Sequence, residues 1–217
     1  MKKAFIFDMD GLLINSEPYW RQAGVEVLNR HGVPVTLADM LRLTGMPSSA
    51  VVASACEYYQ CNHINQTQVV GELLERAIDL ILEQKPLMTG VKETLEFLST
   101  NQIKMAIASA SPRKMLEDIV ESCNIAHYFS YISSAAELEY NKPHPQVYLH
   151  AMQKLGLSPN ECVGLEDSKV GMVAVKAASM ACIVVPSREQ WREPCWDLAD
   201  AKLNSLLNID EALLKRI

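Results

Sequence analysis

Short apolar runs alternate with longer amphipathic stretches along most of this chain. The runs "AFIF" (4–7), "IKMAIA" (103–108), "YISS" (131–134), "CVGL" (162–165) and "CIVV" (182–185) are rich in β-branched or aliphatic side chains and mostly lack an apolar/polar alternation. That is the pattern of strands covered on both faces. The segments between them, 90–101, 112–123, 145–156 and 168–178, repeat their apolar positions at helical spacing, and two have clear starts, at Ser111-Pro112 and at the Pro145 turn. Strands alternating with helices predict an α/β fold, a doubly wound parallel sheet of Rossmann-like type.

Residues 16 to 85 break the rhythm. "SEPYWRQAGVEVLNRHG", "TLADMLRLTG", "SSAVVASACEYYQ" and "QTQVVGELLERAIDLILEQ" read as four successive helices with no strand between them. The predicted organisation is therefore a core domain of residues 1–15 plus 86–217, with an all-helical domain of residues 16–85 inserted after the first strand. Lys85-Pro86 and Thr89-Gly90 mark where the chain re-enters the core.

Composition narrows the function classes. With 217 residues, 49% hydrophobic and 21% charged, the chain can bury a real core. The net charge of −6 and the lack of any Lys/Arg cluster argue against nucleic acid or an anionic membrane as partner. The "MKK" start and "AFIF" stop at Asp8 without a cleavage site, and no stretch approaches the roughly 20 apolar residues of a membrane span. Six cysteines without a paired framework fit reduced thiols, so a cytoplasmic monomer is expected. Cys56, Cys61 and His63, spaced C-x4-C-x-H, lack the second half of a zinc site.

In an open α/β sheet, ligands bind outside the carboxyl ends of the strands, so the residues just beyond each strand are the candidates for chemistry. Asp8 and Asp10 come after the first, Ser109 ends the second, Lys142 in "NKPHP" precedes the helix at 145, and Glu166-Asp167 come after "CVGL". Each alone has an ordinary explanation. Asp8, Asp10, Gly11 and Glu17 match four positions of a calcium loop, but Ile6 would fill its first position with no oxygen. Asp167 or Ser168 could cap the helix at 168, and Ser111 its own helix. Four segments delivering carboxylates, a hydroxyl and an amine to one sheet edge is the stronger pattern. Two aspartates at i, i+2 would point to opposite faces of a strand, and Gly11 permits the sharp exit that brings them to one side.

"DMDGLL", "SAS" with Ser109, "KPHP" with Lys142 and "EDS" with Glu166-Asp167, in that order, resemble the four motifs of the haloacid dehalogenase-like superfamily of phosphohydrolases. The resemblance covers the whole chain, because the helical insertion falls where that family carries its α-helical cap. Within the family the chain is most similar to bacterial sugar-phosphate phosphatases of the 2-deoxyglucose-6-phosphate or hexitol phosphatase type. The resemblance implies a phosphorylated small-molecule substrate, with Asp8 as nucleophile and Asp10 as general acid and base. It implies magnesium, with manganese or cobalt as substitutes, held by Asp8, the Asp10 backbone carbonyl, Asp167 and Glu166. Met9, Ser109, Ala110 and Lys142 would bind the phosphoryl group. The cap would present Glu17, Trp20 and the turn at Thr44, Gly45 and Met46 to the rest of the substrate. β-Phosphoglucomutases of the same family carry a histidine where this chain has Trp20 and an arginine near its Ser48, and that departure favours a phosphatase over a mutase.

Overall fold

The computed structural model describes residues 2–44, 46–61 and 63–217. In chain order these form β1 (Ala4–Phe7), α1 (Glu17–Arg30), α2 (Leu37–Arg42), α3 (Ser48–Tyr58), α4 (Gln66–Gln84), α5 (Val91–Thr100), β2 (Lys104–Ser109) and α6 (Arg113–Ser122). Next come β3 (Tyr131–Ser134), α7 (Gln146–Leu155), β4 (Cys162–Glu166), α8 (Lys169–Ala177), β5 (Ala181–Val184), β6 (Ala201–Lys202) and α9 (Glu211–Arg216), with short 3-10 turns between. All five apolar runs form strands, and the four helices predicted between residues 16 and 85 are present. The pattern does not show β6, because two residues are too few to carry one. Backbone bonds define it, from Asp200 N to Cys182 O (2.9 Å) and from Leu203 N to Val184 O (2.8 Å).

The six strands make one parallel sheet in the order β3-β2-β1-β4-β5-β6. The connections run outward from β1 in both directions, so the order reverses between β1 and β4, and a crevice opens at the carboxyl ends of strands flanking such a reversal. β1 pairs with β4 at Phe7↔Leu165, and continuing that register by one residue puts Asp8 level with Glu166. β1, β4 and all of β2 but Lys104 are buried. A polar side chain therefore finds solvent only beyond the strand ends.

By contacts the chain divides into two compact units, Met1–Asn15 with Leu87–Ile217, and Ser16–Pro86. In the first, the apolar stripe Val147, Tyr148, Ala151 and Leu155 of α7 and the residues Met172, Ala174 and Val175 of α8 join Ile6, Ala106 and Cys182 of the sheet in one core. In the second, α1 to α4 enclose Val27, Leu28, Val52, Cys56, Val69 and Leu73. α2 starts on a capping box between Thr36 and Asp39, and α4 ends at Lys85 in the left-handed conformation with φ 50°, where the sequence breaks at Lys-Pro. All six cysteines are free thiols. Cys56 and Cys61 are buried in the helical core, and the Cys61 thiol lies 3.8 Å from Gly32 O. Among the described residues no helix is long and apolar enough to cross a membrane.

Candidate active site

The site begins with the turn after β1. Asp8 continues the ladder, its N–H donating to Leu165 O at 3.0 Å, and then the chain folds back, with Leu13 N and Ile14 N both donating to Met9 O and Gly11 N to Ile14 O. Gly11 has φ +83°, and a Cβ built on it would lie 2.0 Å from Asp167 Oδ2. Glycine is thus required there twice, for the left-handed turn and to let the carboxylate of Asp167 approach the backbone.

Behind the turn, Lys142 Nζ donates to Asp8 Oδ1 and to Glu166 Oε1, each at 2.6 Å, with its side chain only 7% exposed. Lys142 comes from the "KPHP" segment, whose Lys142-Pro143 bond is cis. Glu166, fully buried, also accepts from Tyr148 Oη at 2.6 Å and from Ser168 Oγ at 3.0 Å. The Lys142 ammonium lies 5.2 Å from the Tyr148 ring centroid, within cation–π range. A carboxylate that accepts from an ammonium and two hydroxyls has little rotational freedom left.

Carboxylate oxygens of Asp8, Glu166 and Asp167 lie within 4.8 Å of one another. Two like charges at that separation repel by about 3 kcal/mol at an effective dielectric near 20, and Lys142 is the cation bonded among them. Burial, reinforced by Glu166 and Asp10 against the opposing pull of Lys142, raises the Asp8 carboxyl from 3.8 to about 7. Burial with the charges of Asp8 and Glu166 holds Asp167 well above the usual carboxylate range. Burial works against the Lys142 ammonium, but Asp8 and Glu166 outweigh it and push its pKa up. Burial and Glu166 likewise keep the Tyr148 phenol protonated. The cluster carries an excess of negative charge that a hard divalent cation with oxygen ligands would relieve.

Ser109 is buried at the end of β2, its Oγ accepting from Ser111 N at 3.1 Å, so its own proton is not spent in that bond. Ala110 is the exposed residue after it. Ser111 Oγ donates to Asp10 Oδ2 at 2.8 Å, and Ser134 Oγ donates to Ser111 O at 2.7 Å. This corrects the expectation that Ser111 caps its own helix. The N-cap of α6 is Pro112, with no side-chain cap bond, and the serine hydroxyl orients Asp10 instead. At the next motif the capping residue is Ser168, whose Oγ accepts from Gly171 N, leaving Asp167 to the acidic cluster.

The structure thus brings together Asp8, Asp10, Lys142, Glu166 and Asp167, with Met9 buried in the turn and Ser109 behind Asp10's partner. The sequence pattern reveals neither Tyr148 nor the Ser111–Asp10 bond. The only signal for Tyr148 is an aromatic residue on the inward face of the helix after "KPHP", and inward aromatics are ordinary core residues. Within the helical unit, Glu17 pairs with Arg21 at 3.1 Å, and Trp20 is half-buried against the helical core. Ser48 opens α3, Thr44 and Met46 are exposed, and Gly45 lies outside the described residues.

Comparison with known proteins gives this arrangement a family. The haloacid dehalogenase-like hydrolase family matches residues 5–185. The chain belongs to that family. It is 42% identical over 207 residues to hexitol phosphatase B of Escherichia coli strain K12, covering 95% of this chain and 93% of that protein. It is 29% identical over 183 residues to the fructose-1-phosphate phosphatase of the same organism, covering 83% of this chain and 94% of that one. Among solved structures, β-phosphoglucomutase from Clostridium difficile superposes with a TM-score of 0.79 at 23% identity, covering 99% and 96% of the two chains. That likeness speaks for the haloacid dehalogenase-like fold. The family, and the cluster at its strand ends, make this chain a hydrolase.

Proposed function

We propose that this hydrolase removes the phosphate from small sugar or polyol monophosphates, hexose 6-phosphates and hexitol phosphates among them, with magnesium and through an aspartyl phosphate on Asp8. The observation that carries the reading is Asp8 itself. It is a buried carboxylate at the topological switch point, with one oxygen pinned by Lys142 at 2.6 Å and two further carboxylates beside it. The similarity to enzymes named for hexitol phosphate and fructose 1-phosphate supports the substrate class.

Magnesium, or manganese or cobalt in its place, would be held by Asp8, the backbone carbonyl of Asp10 and Asp167, with Glu166 alongside, and would offset charge on the phosphoryl oxygens. The chain's own groups then divide the work. Asp8 attacks phosphorus and the ester P–O bond breaks. Asp10, oriented by Ser111, gives its proton to the departing alkoxide, then takes one from the water that displaces Asp8 and releases inorganic phosphate. Acid–base help of this kind contributes roughly 10²–10⁴-fold. Lys142 and Ser109, with the backbone of Met9 and Ala110, bind the phosphoryl oxygens. Residues 16–85 act as a lid that excludes bulk water. Glu17 accepts from substrate hydroxyls and Trp20 offers an apolar face to the sugar, and no cation at Trp20 or Ser48 grips a second phosphate as a mutase needs.

The test is phosphate release from p-nitrophenyl phosphate and from a panel of glucose 6-phosphate, 2-deoxyglucose 6-phosphate, fructose 1-phosphate and hexitol phosphates. Activity should require magnesium, vanish with a chelator and not return with calcium, whose longer bonds and higher ligand number would draw Asp8 out of its line of attack. Full turnover after exhaustive chelation would refute the metal assignment. β-Glucose 1-phosphate with a trace of the 1,6-bisphosphate should yield inorganic phosphate; faster appearance of glucose 6-phosphate would make the enzyme a mutase.

A further inference from the structure

We propose that the loop after β5 forms a second ligand site, for a phosphate ester that carries a ring, separate from the acidic cluster. A cavity of about 420 Å³ is lined there by Pro186, Arg188, Trp191, Arg192 and Asn204, a volume in the range of small-molecule sites. Its arginines differ from five of the other six, Arg216 being likewise without an ion pair among the described residues. The chain has six more carboxylates than cationic side chains, and Arg21, Arg30, Arg42, Arg76 and Arg113 each pair with one. Arg188 and Arg192 make no ion pair with any described residue. The nearby Glu189 is held within the loop by its own backbone N–H and by Ser187 and feels the charge of Arg188 without an ion pair between them, and Glu193 pairs with Lys169. Two guanidiniums lining one cavity on an acidic protein, neither in an ion pair with a described residue, match the oxygens of a phosphate dianion.

The rest of the loop is built. The indole N–H of buried Trp196 donates to Gln190 O at 2.7 Å, fixing the turn between the two arginines. Lys202 Nζ donates to Trp191 O at 3.2 Å and stands 4.7 Å from the Trp191 ring centroid, which holds that indole in the cavity wall. A fixed indole binds a sugar or base ring by stacking, and the Asn204 amide can both donate to and accept from ring hydroxyls or nitrogens. The loop is also tied at both ends to the segment that carries Glu166 and Asp167. Val185 N donates to Glu166 O at 2.8 Å, and Glu193 holds Lys169 in the first turn of α8. Occupancy of the cavity therefore bears on the backbone that presents those carboxylates.

The test is calorimetric titration of glucose 6-phosphate, AMP and inorganic phosphate into Asp8→Asn protein with magnesium, where turnover cannot consume the ligand. A hexose phosphate should bind in two equivalents, and adding Arg188→Gln/Arg192→Gln should remove one of them, weakening it by ~10-fold or more. Trp191→Phe should weaken both ring-bearing esters and leave inorganic phosphate unchanged. Preference between glucose 6-phosphate and AMP tells whether the occupant is the enzyme's own substrate class or a nucleotide. One equivalent, lost in the arginine variant, would support this site, and phosphate release from the same esters by the parent protein separately tests the phosphatase reading of the acidic cluster. One equivalent retained in the arginine variant, or two retained undiminished, would overturn the proposal. The arginines are exposed, and an unchanged melting temperature would show that the variant folds.

Discussion

Asp8 and Asp10 differ in what holds them, and that sets different expectations for their removal. Asp8 is fixed by Lys142 at its side chain, whereas Asp10 is fixed by Ser111 and is proposed to meet the metal through its backbone. Asp8→Asn should leave no phosphoenzyme after an acid quench and only a trace of turnover. Asp10→Asn should bind magnesium as the parent does yet turn over roughly 10²-fold or more slowly. Substantial activity in Asp8→Asn would exclude covalent catalysis there. Gly11 gives a second expectation at this scale. A methyl group at Gly11 would overlap Asp167 Oδ2 and occupy a backbone conformation at φ +83° that L side chains disfavour. Gly11→Ala should raise the magnesium concentration needed for half-maximal activity more than it raises KM for substrate; equal effects on both would show that Asp167 is not displaced.

The elements place these residues by packing. α7 and α8 lie against the sheet, and each sends one inward group to Glu166. Tyr148 comes from α7, and the backbone of Gly171 on α8 passes so close that an added Cβ would sit 1.9 Å from the Glu166 carboxyl carbon. The phenol shares Glu166 Oε1 with Lys142, so Tyr148 acts as a positioning residue for the lysine and, through it, for Asp8. In Tyr148→Phe the ring and its packing remain, but Glu166 Oε1 is left to Lys142 alone, which draws the ammonium from Asp8. We expect kcat to fall roughly tenfold with KM and melting temperature little changed, a split that stopped-flow and thermal melts would show. A loss confined to stability would make Tyr148 merely a core residue.

At the scale of the molecule, the acidic cluster costs the metal-free protein stability. The Asp8 carboxyl titrates near 7 in the folded state against 3.8 ordinarily. Between those values the folded protein binds a proton that the unfolded chain has lost, so this group's contribution to stability falls as pH rises through the window and reaches its full cost above about pH 7. In thermal melts without metal, Asp8→Asn should therefore match the parent near pH 4 and melt progressively higher than it up to pH 8. Magnesium should stabilise the parent most at the alkaline end. A pH-independent difference would show that Asp8 is not destabilised by its surroundings.

Much of this is legible along the chain. The apolar runs end where the strands end because a parallel strand buried on both faces needs an unbroken apolar segment, and four helices stand out in residues 16–85 because each presents an apolar stripe. Asp8, Asp10, Glu166 and Asp167 can be selected because polar residues at the ends of buried strands have one place to go, and Lys142 because it stands just before the helix that follows β3. The sequence by itself determined those elements, the family motifs and the turn at Gly11, since each depends on the local period or on a residue's own conformational limits. Only the tertiary structure decided which groups share a proton or a charge. Ser111 looks like a cap and serves Asp10, Tyr148 looks like core and holds Glu166, and Arg188, Trp191 and Arg192 look like a surface loop until β6, too short to show in any pattern, folds back with Lys202 beside them. Hydrogen bonds between residues 18 to 134 positions apart depend on strand order and helix packing, and no local period records them.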